Sequence, residues 1–165
     1  MAKPVIVNIE WLEYGSAEDL PDEDRVLVEM AVRATDNAYA PYSNFRVGAA
    51  VRLENGEIIT GTNVENAAFP SGICAERNVL ATSASCFPGI KPVALAIAAA
   101  TSDGITADPV PPCGNCRQVI AEEETRNNHP VRIIMAGKSK IIVINKGSDL
   151  LPLKFDAKNL RQDSL

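Results

Sequence analysis

Cys74-Ala75-Glu76-Arg77, followed downstream by Pro112-Cys113-Gly114-Asn115-Cys116, is the stretch on which the reading of this chain turns. It offers three thiolates to a metal and one carboxylate that is not needed as a ligand. Three protein ligands leave the fourth tetrahedral position of zinc open to water, whereas four would close the site and make it structural. Glu76 is then free to carry protons in a hydrolytic reaction. Cys113 and Cys116 lie at the start of a predicted helix, so both sulfurs can face one point from a single turn. Cys74 opens a second predicted helix. Two helix N-termini aimed at one spot favour anionic sulfur, because their unpaired N–H groups and dipoles stabilise negative charge. Three thiolates on one Zn²⁺ leave a net negative cluster, and Arg77 stands where it can hydrogen-bond sulfur and restrain that charge.

Other readings of these cysteines account for less. A Cys-x-x-Cys pair alone is shared by redox proteins and zinc knuckles, but redox chemistry leaves Cys74 and Glu76 unexplained. A structural zinc site requires a fourth ligand, and the one histidine, His129, sits in a polar Asn-Asn-His-Pro turn that reads as surface. Disulfides are disfavoured by the Cys-x-x-Cys spacing in a chain whose first residues carry no apolar core of a secretory signal. Cys86 reads as a small buried apolar residue on the helix that Cys74 opens.

Composition narrows the partners. At 165 residues the chain is the size of one domain, and we treat residues 1–165 as one, with 1–20 an N-terminal extension of unknown role. No apolar run approaches the length of a membrane span, so neither a membrane nor export is expected, and the reading is cytoplasmic. The formal net charge is −5, which opposes a nucleic-acid partner held mainly through its phosphates.

Outward from the cysteines, hydrophobic periodicity gives the fold. Pro21 to Ala40 carries a helical stripe with acidic residues in its first turn. Phe45 to Leu53 and Glu57 to Thr62 flank Asn55-Gly56, a hairpin signal. A helix follows from Cys74 to about Ser85, and Val93 to Ala100 is a continuous apolar run suited to a strand covered on both faces. The proline-rich loop Thr106 to Pro112 delivers the chain to Cys113. Arg117 to Arg126 reads as helix, then Val131 to Ala136 and Lys140 to Asn145 as strands. This order predicts an α/β fold, a three-layer sandwich with a mixed sheet of about five strands.

At these residues the sequence resembles the zinc-dependent cytidine deaminases, specifically the small homotetrameric nucleoside type. The likeness also takes in Tyr42-Ser43-Asn44-Phe45-Arg46-Val47-Gly48-Ala49-Ala50, Gly61-Thr62-Asn63-Val64-Glu65-Asn66-Ala67, the continuation Arg117-Gln118 and Leu150-Leu151-Pro152, so that its blocks span most of Tyr39 to Phe155. The resemblance implies one Zn²⁺ per subunit on Cys74, Cys113 and Cys116, with Glu76 as the catalytic acid and base. It implies a base stacked on Phe45, a ribose 3′-hydroxyl held by Asn63 and Glu65, and a pyrimidine carbonyl bound by the backbone amide of Ala75. Phe155 would reach a neighbouring subunit's site, which implies a homotetramer. The implied activity is hydrolysis of cytidine and 2′-deoxycytidine to the uridines plus ammonia, as in pyrimidine salvage. Three positions depart from the pattern: Arg46 stands where proline is common, Pro111 where serine is usual, and Phe69 where tyrosine is frequent. Rival readings are a deaminase of another aminopyrimidine nucleoside such as blasticidin S, a polynucleotide editor, and a non-catalytic zinc-stabilised binding module. The module would have no use for Glu76.

Overall fold

Alternation along one strand sets the layers. In β4 (Pro92–Thr101), Ala94, Ala96 and Ala98 point to one face of the sheet, and Leu95 and Ile97 to the other. All five are buried, because helices cover both faces. The computed structural model describes residues 1–160. On the alanine face lies α1 (Asp22–Ala34), whose Leu27, Val28 and Ala31 pack against Ala94, Ala96 and Ala98. Small residues let this helix approach closely. At Gly48 the approach is closest, since a Cβ there would overlap the carbonyl oxygen of Ala31. On the leucine face lie α2 (Ala75–Cys86) and α3 (Gly114–Asn127), which bury Val79, Leu80 and Ile120 against Val51, Leu95, Ile97 and Ile133. Each such fully buried aliphatic side chain contributes about 1.5–3 kcal/mol relative to exposure.

The remaining strands are β1 (Leu12–Tyr14), β2 (Arg46–Leu53), β3 (Ile58–Thr62), β5 (Gly104–Ile105), β6 (Arg132–Ala136) and β7 (Ile141–Ile144). The order across the sheet is β1-β7-β6-β4-β2-β3, with β5 paired to the end of β4. The β4–β6 pair is parallel and is joined through α3; the other pairs are antiparallel. The three-layer α/β sandwich and the mixed sheet are as the sequence predicts. The described sheet has seven strands rather than about five. The two additions, β1 and β5, are three and two residues long and complete the sheet at its margins.

One boundary and one burial reading are corrected. The first helix ends at Ala34 and passes through a 3-10 turn, Thr35–Asn37, instead of continuing to Ala40. The chain leaves the helix because Tyr39 is claimed by a distant partner: its N–H donates to Asn63 O at 3.1 Å and its carbonyl accepts from Glu65 N–H at 2.8 Å. Cys86 is exposed, not buried. It is the last residue of α2, and the next residue, Phe87, takes the place against the core.

Candidate metal centre and nucleoside cavity

Cys74 and Cys113 occupy equivalent places. Each is the N-cap of its helix, in extended conformation, immediately before the first turn of α2 and of α3. Cys116, fully buried, follows in the first turn of α3. The loop that delivers Cys113 is pinned from the β6–β7 turn: Lys138 N–H donates to Thr106 O at 3.0 Å, and Ser139 N–H and Oγ donate to Ala107 O at 2.9 and 2.8 Å. Arg117 completes the support by donating through Nε to Pro112 O at 2.8 Å and through Nη1 to Leu150 O at 3.3 Å.

The three sulfurs have the spacing that zinc requires. Cys74 Sγ lies 3.9 Å from Cys113 Sγ, which lies 3.5 Å from Cys116 Sγ, and all three fall within 4.8 Å of one another. Zinc–sulfur bonds of about 2.3 Å at tetrahedral angles put sulfurs about 3.8 Å apart. Among the described residues no other Cys, His, Asp or Glu joins this group, so three corners are supplied and one is left. His129 is at the opposite end of α3, where its N–H donates to Glu124 O.

Protonation of the thiols follows from crowding. Burial pushes the Cys116 thiol far up, and the charges of Glu76 and Cys74 add to the shift. Burial also raises Cys74, opposed in part by a hydrogen bond with Cys116. Burial works against the Cys113 thiolate too, but N–H groups of Cys116 and Asn115 and the neighbouring thiols outweigh it and hold Cys113 below the usual range. These are the donors of the first turn of α3, acting on its N-cap as an anion site. A divalent cation would reverse the balance at the other two sulfurs, since it replaces mutual repulsion by attraction.

Glu76, in the first turn of α2, is 5% exposed and borders the same space as Cys74 and Cys113. Burial raises its carboxyl above the usual range; a hydrogen bond from its own backbone N–H, the Cys116 thiol and the Arg77 charge pull the other way. A buried carboxyl so poised is suited to both accepting and returning a proton. Arg77 makes no hydrogen bond to sulfur among the described residues; its charge is felt at Glu76 instead. The helix itself is set close to β3: a Cβ on Gly61 would lie 3.0 Å from both Cβ and N of Val79, and 3.2 Å from Ala75 O.

The space in front of these groups is a cavity of about 640 Å³. Phe45, Asn63, Glu65, Ala75 and Glu76 all border it, together with Cys74 and Cys113; Arg77, Cys116 and Phe155 do not. Asn63 is tied to β2, accepting from Val47 N–H at 2.7 Å and donating to Phe45 O at 2.9 Å. Glu65 accepts from Tyr42 N–H, Ser43 N–H and Ser43 Oγ. Each keeps capacity for one further hydrogen bond or more. Phe155 is 57% exposed and is held to α3 by Gln118, whose Nε2 donates to Phe155 O at 2.7 Å and whose Oε1 accepts Phe155 N–H at 3.3 Å. Sequence reasoning passed over Tyr42 and Val110, which also border the cavity. Tyr42 meets Phe69 edge-on, with ring centroids 6.0 Å apart. The signal for Tyr42 was its place in the quoted Tyr-Ser-Asn-Phe block; Val110, in a proline-rich loop, carried none.

Comparison with known proteins agrees with this geometry. Residues 21–129 match the family model of the cytidine and deoxycytidylate deaminase zinc-binding region. The chain belongs to this deaminase family. The matched region is a zinc-binding one, and the Cys74, Cys113 and Cys116 cluster is able to hold such an ion. The cytidine deaminase of Halalkalibacterium halodurans is 38% identical over 137 residues, covering 82% of this chain and 96% of that protein. The cytidine deaminase of Mycobacterium tuberculosis is 36% identical over 148 residues, covering 87% and 98%. Among solved structures, the cytidine deaminase of Burkholderia pseudomallei aligns with a TM-score of 0.68 at 36% identity, over 79% of this chain and 97% of that one. The family match begins where α1 begins, so residues 1–20, including β1, precede the deaminase region.

Proposed function

We propose that this chain hydrolyses cytidine and 2′-deoxycytidine to uridine and 2′-deoxyuridine with release of ammonia, a step of pyrimidine salvage. The observation that carries the reading is the placement of a buried carboxyl, Glu76, on the cavity wall beside three sulfurs spaced for zinc. Cys74, Cys113 and Cys116 hold the metal. Zinc in this setting supplies Lewis acidity, bringing the pKa of a water to about 7. Glu76 takes the proton that the water gives up as its oxygen bonds to C4, and returns it to N3 of the ring. It then carries the second proton of the water to the amine as the C4–N bond breaks, so that ammonia leaves and the C4 carbonyl remains. The Ala75 backbone amide faces the pyrimidine carbonyl, Phe45 offers its ring to the base, and Asn63 and Glu65 use their remaining hydrogen-bond capacity on the ribose 3′-hydroxyl. Arg77 tempers the charge around Glu76 and the sulfurs.

Phe155 serves a neighbouring copy in a homotetramer. What supports this is that the ring is exposed and outside the cavity of its own chain. A small nucleoside, not a nucleic acid, suits a cavity of about 640 Å³ on an acidic chain. Among the described residues no helix is long and apolar enough to cross a membrane. Cytoplasmic residence is part of the proposal.

Ammonia release from cytidine by the zinc-loaded protein, beside its Glu76→Gln variant, tests the reading. Loss of the proton carrier should reduce turnover by roughly a hundredfold to ten-thousandfold with the zinc content unchanged. A variant with near-normal turnover, or a wild-type protein inert toward cytidine, would overturn it.

A further inference from the structure

Ser43 has no part in the chemistry described so far, yet its hydroxyl joins two other residues that line the nucleoside cavity, Phe45 and Glu65. Its Oγ donates to Glu65 Oε1 and accepts from Phe45 N–H at 3.0 Å. The other oxygen of Glu65 receives Tyr42 N–H at 2.9 Å and Ser43 N–H at 3.3 Å. From the opposite side, Asn63 grips the carbonyl of Phe45 at 2.9 Å and Val47 N–H at 2.7 Å. Between Ser43 and Phe45 the chain passes through Asn44 in the left-handed region, with φ of 56°. Asparagine tolerates that region better than most residues but still at a cost, so the surrounding bonds must hold it there. Backbone strain kept at the rim of a cavity by converging hydrogen bonds is a mark of preorganisation.

We propose that Ser43 is a positioning residue for nucleoside deamination, locking the carboxylate of Glu65 and the backbone that carries the Phe45 ring into one register. The inference rests on the deaminase reading, in which Phe45 receives the base and Glu65 the sugar. The hydroxyl has a single proton and commits it to Glu65, while the Phe45 N–H occupies a lone pair. A carboxylate has about four acceptor positions. Three on Glu65 are filled by Tyr42 and Ser43, so one is left and its direction is fixed. Removing the hydroxyl frees Oε1 to rotate and leaves Phe45 N–H without its partner. The sugar is then read less well, while the proton transfer at Glu76 is untouched, because Ser43 makes no hydrogen bond to Glu76 or the sulfurs among the described residues.

The test compares zinc-loaded wild type, Ser43→Ala and Ser43→Thr with cytidine and 3′-deoxycytidine, alongside thermal unfolding of each. The expected result for Ser43→Ala is a KM for cytidine raised on the order of tenfold, a kcat within about twofold of wild type, and a smaller preference for cytidine over 3′-deoxycytidine. Ser43→Thr keeps the hydroxyl at an exposed position and should restore both KM and preference. A purely structural role would lower kcat for both substrates together and leave their ratio alone. An unchanged ratio and KM in Ser43→Ala, or failure of threonine to rescue, overturns the proposal. A wild-type protein that releases no ammonia from cytidine overturns the deaminase reading itself, and this inference with it.

Discussion

Replacing Glu124 by alanine removes the acceptor for three backbone N–H groups at once, and the structure sets how much each loss costs. Glu124 lies 7% exposed on α3. Its Oε1 accepts from Val131 N at 2.8 Å and Gly147 N at 2.7 Å, and its Oε2 from Ser148 N at 3.0 Å. The carboxylate thus ties the end of α3 to the start of β6 and to the turn that leads into Leu150-Leu151-Pro152. The three losses are unequal. Gly147 N–H has a second acceptor in Val131 O at 2.9 Å. Ser148 is only half-buried, so water can replace the carboxylate there. Val131, 1% exposed, has no such recourse. A buried donor left unmet costs about 1–3 kcal/mol, and a hydrogen bond to a charged group contributes about 1.5–3 kcal/mol. One orphaned donor plus two partial losses gives about 3 kcal/mol for Glu124→Ala.

Glutamine separates the charge from the geometry. With its carbonyl oxygen in the place of Oε1 it keeps the bonds to Val131 and Gly147, and only Ser148 N–H faces an amide donor, so Glu124→Gln should cost about 1 kcal/mol. The assay is urea unfolding followed by far-ultraviolet circular dichroism, with protein and zinc concentrations held equal, because metal binding and assembly shift apparent stability. An alanine variant within about 0.5 kcal/mol of wild type, the range of an ordinary surface change, refutes the reasoning. So does a glutamine variant as unstable as the alanine one.

Gly61→Ala puts a Cβ 3.0 Å from Val79 on the helix that carries Glu76; we expect a loss of about 1–3 kcal/mol and reduced cytidine turnover, and a variant with wild-type melting temperature and kcat would show that α2 has slack. Stripping the metal with a chelator should lower the melting temperature, because an ion gripped by three sulfurs that only the fold brings together stabilises the folded chain. Zinc should restore it and magnesium should not, and an unchanged melting curve after verified loss of zinc counts against three-sulfur ligation. Deleting residues 1–14 removes β1, which lies at the opposite margin of the sheet from β3 and borders no part of the cavity. Cytidine KM and kcat should be unchanged with stability lowered by about 1 kcal/mol, since only three strand residues leave the ladder; altered KM would place the extension at the site.

What could be read from the sequence depended on how few uses a residue pattern has. Cys-x-Glu upstream of Pro-Cys-x-x-Cys has one economical chemical reading, and the sulfurs do converge. The run Val93 to Ala100, bounded by Pro92 and Ser102-Asp103-Gly104, fits a strand covered on both sides, and it is buried throughout except for Val93 at its start. The misses arise where a local pattern was overruled from a distance. Helical periodicity carried α1 past Ala34, but no window around Tyr39 contains Val64, its partner in the ladder. Strands of two and three residues, β5 and β1, are too short to show a period. The residue type of Cys86 points inward, but Phe87, one position further along, packs against the core in its stead.

The same contrast divides the site. The side chains that would act on the substrate announce themselves by type: thiols, a lone carboxyl next to one of them, an aromatic ring. The groups that hold those side chains in place act mainly on backbone N–H and C=O, and any serine, asparagine or glutamine has the chemistry to do so. Ser43 on Phe45, Gln118 on Phe155 and, among acidic residues, Glu124 on Val131 act in this way. Nothing in their identity distinguishes them from ordinary surface polar residues until the fold brings a backbone within 3 Å or so. Sequence therefore exposes the reactive groups of this deaminase and hides their supports. Those supports are where substitutions of unremarkable appearance should separate binding from turnover.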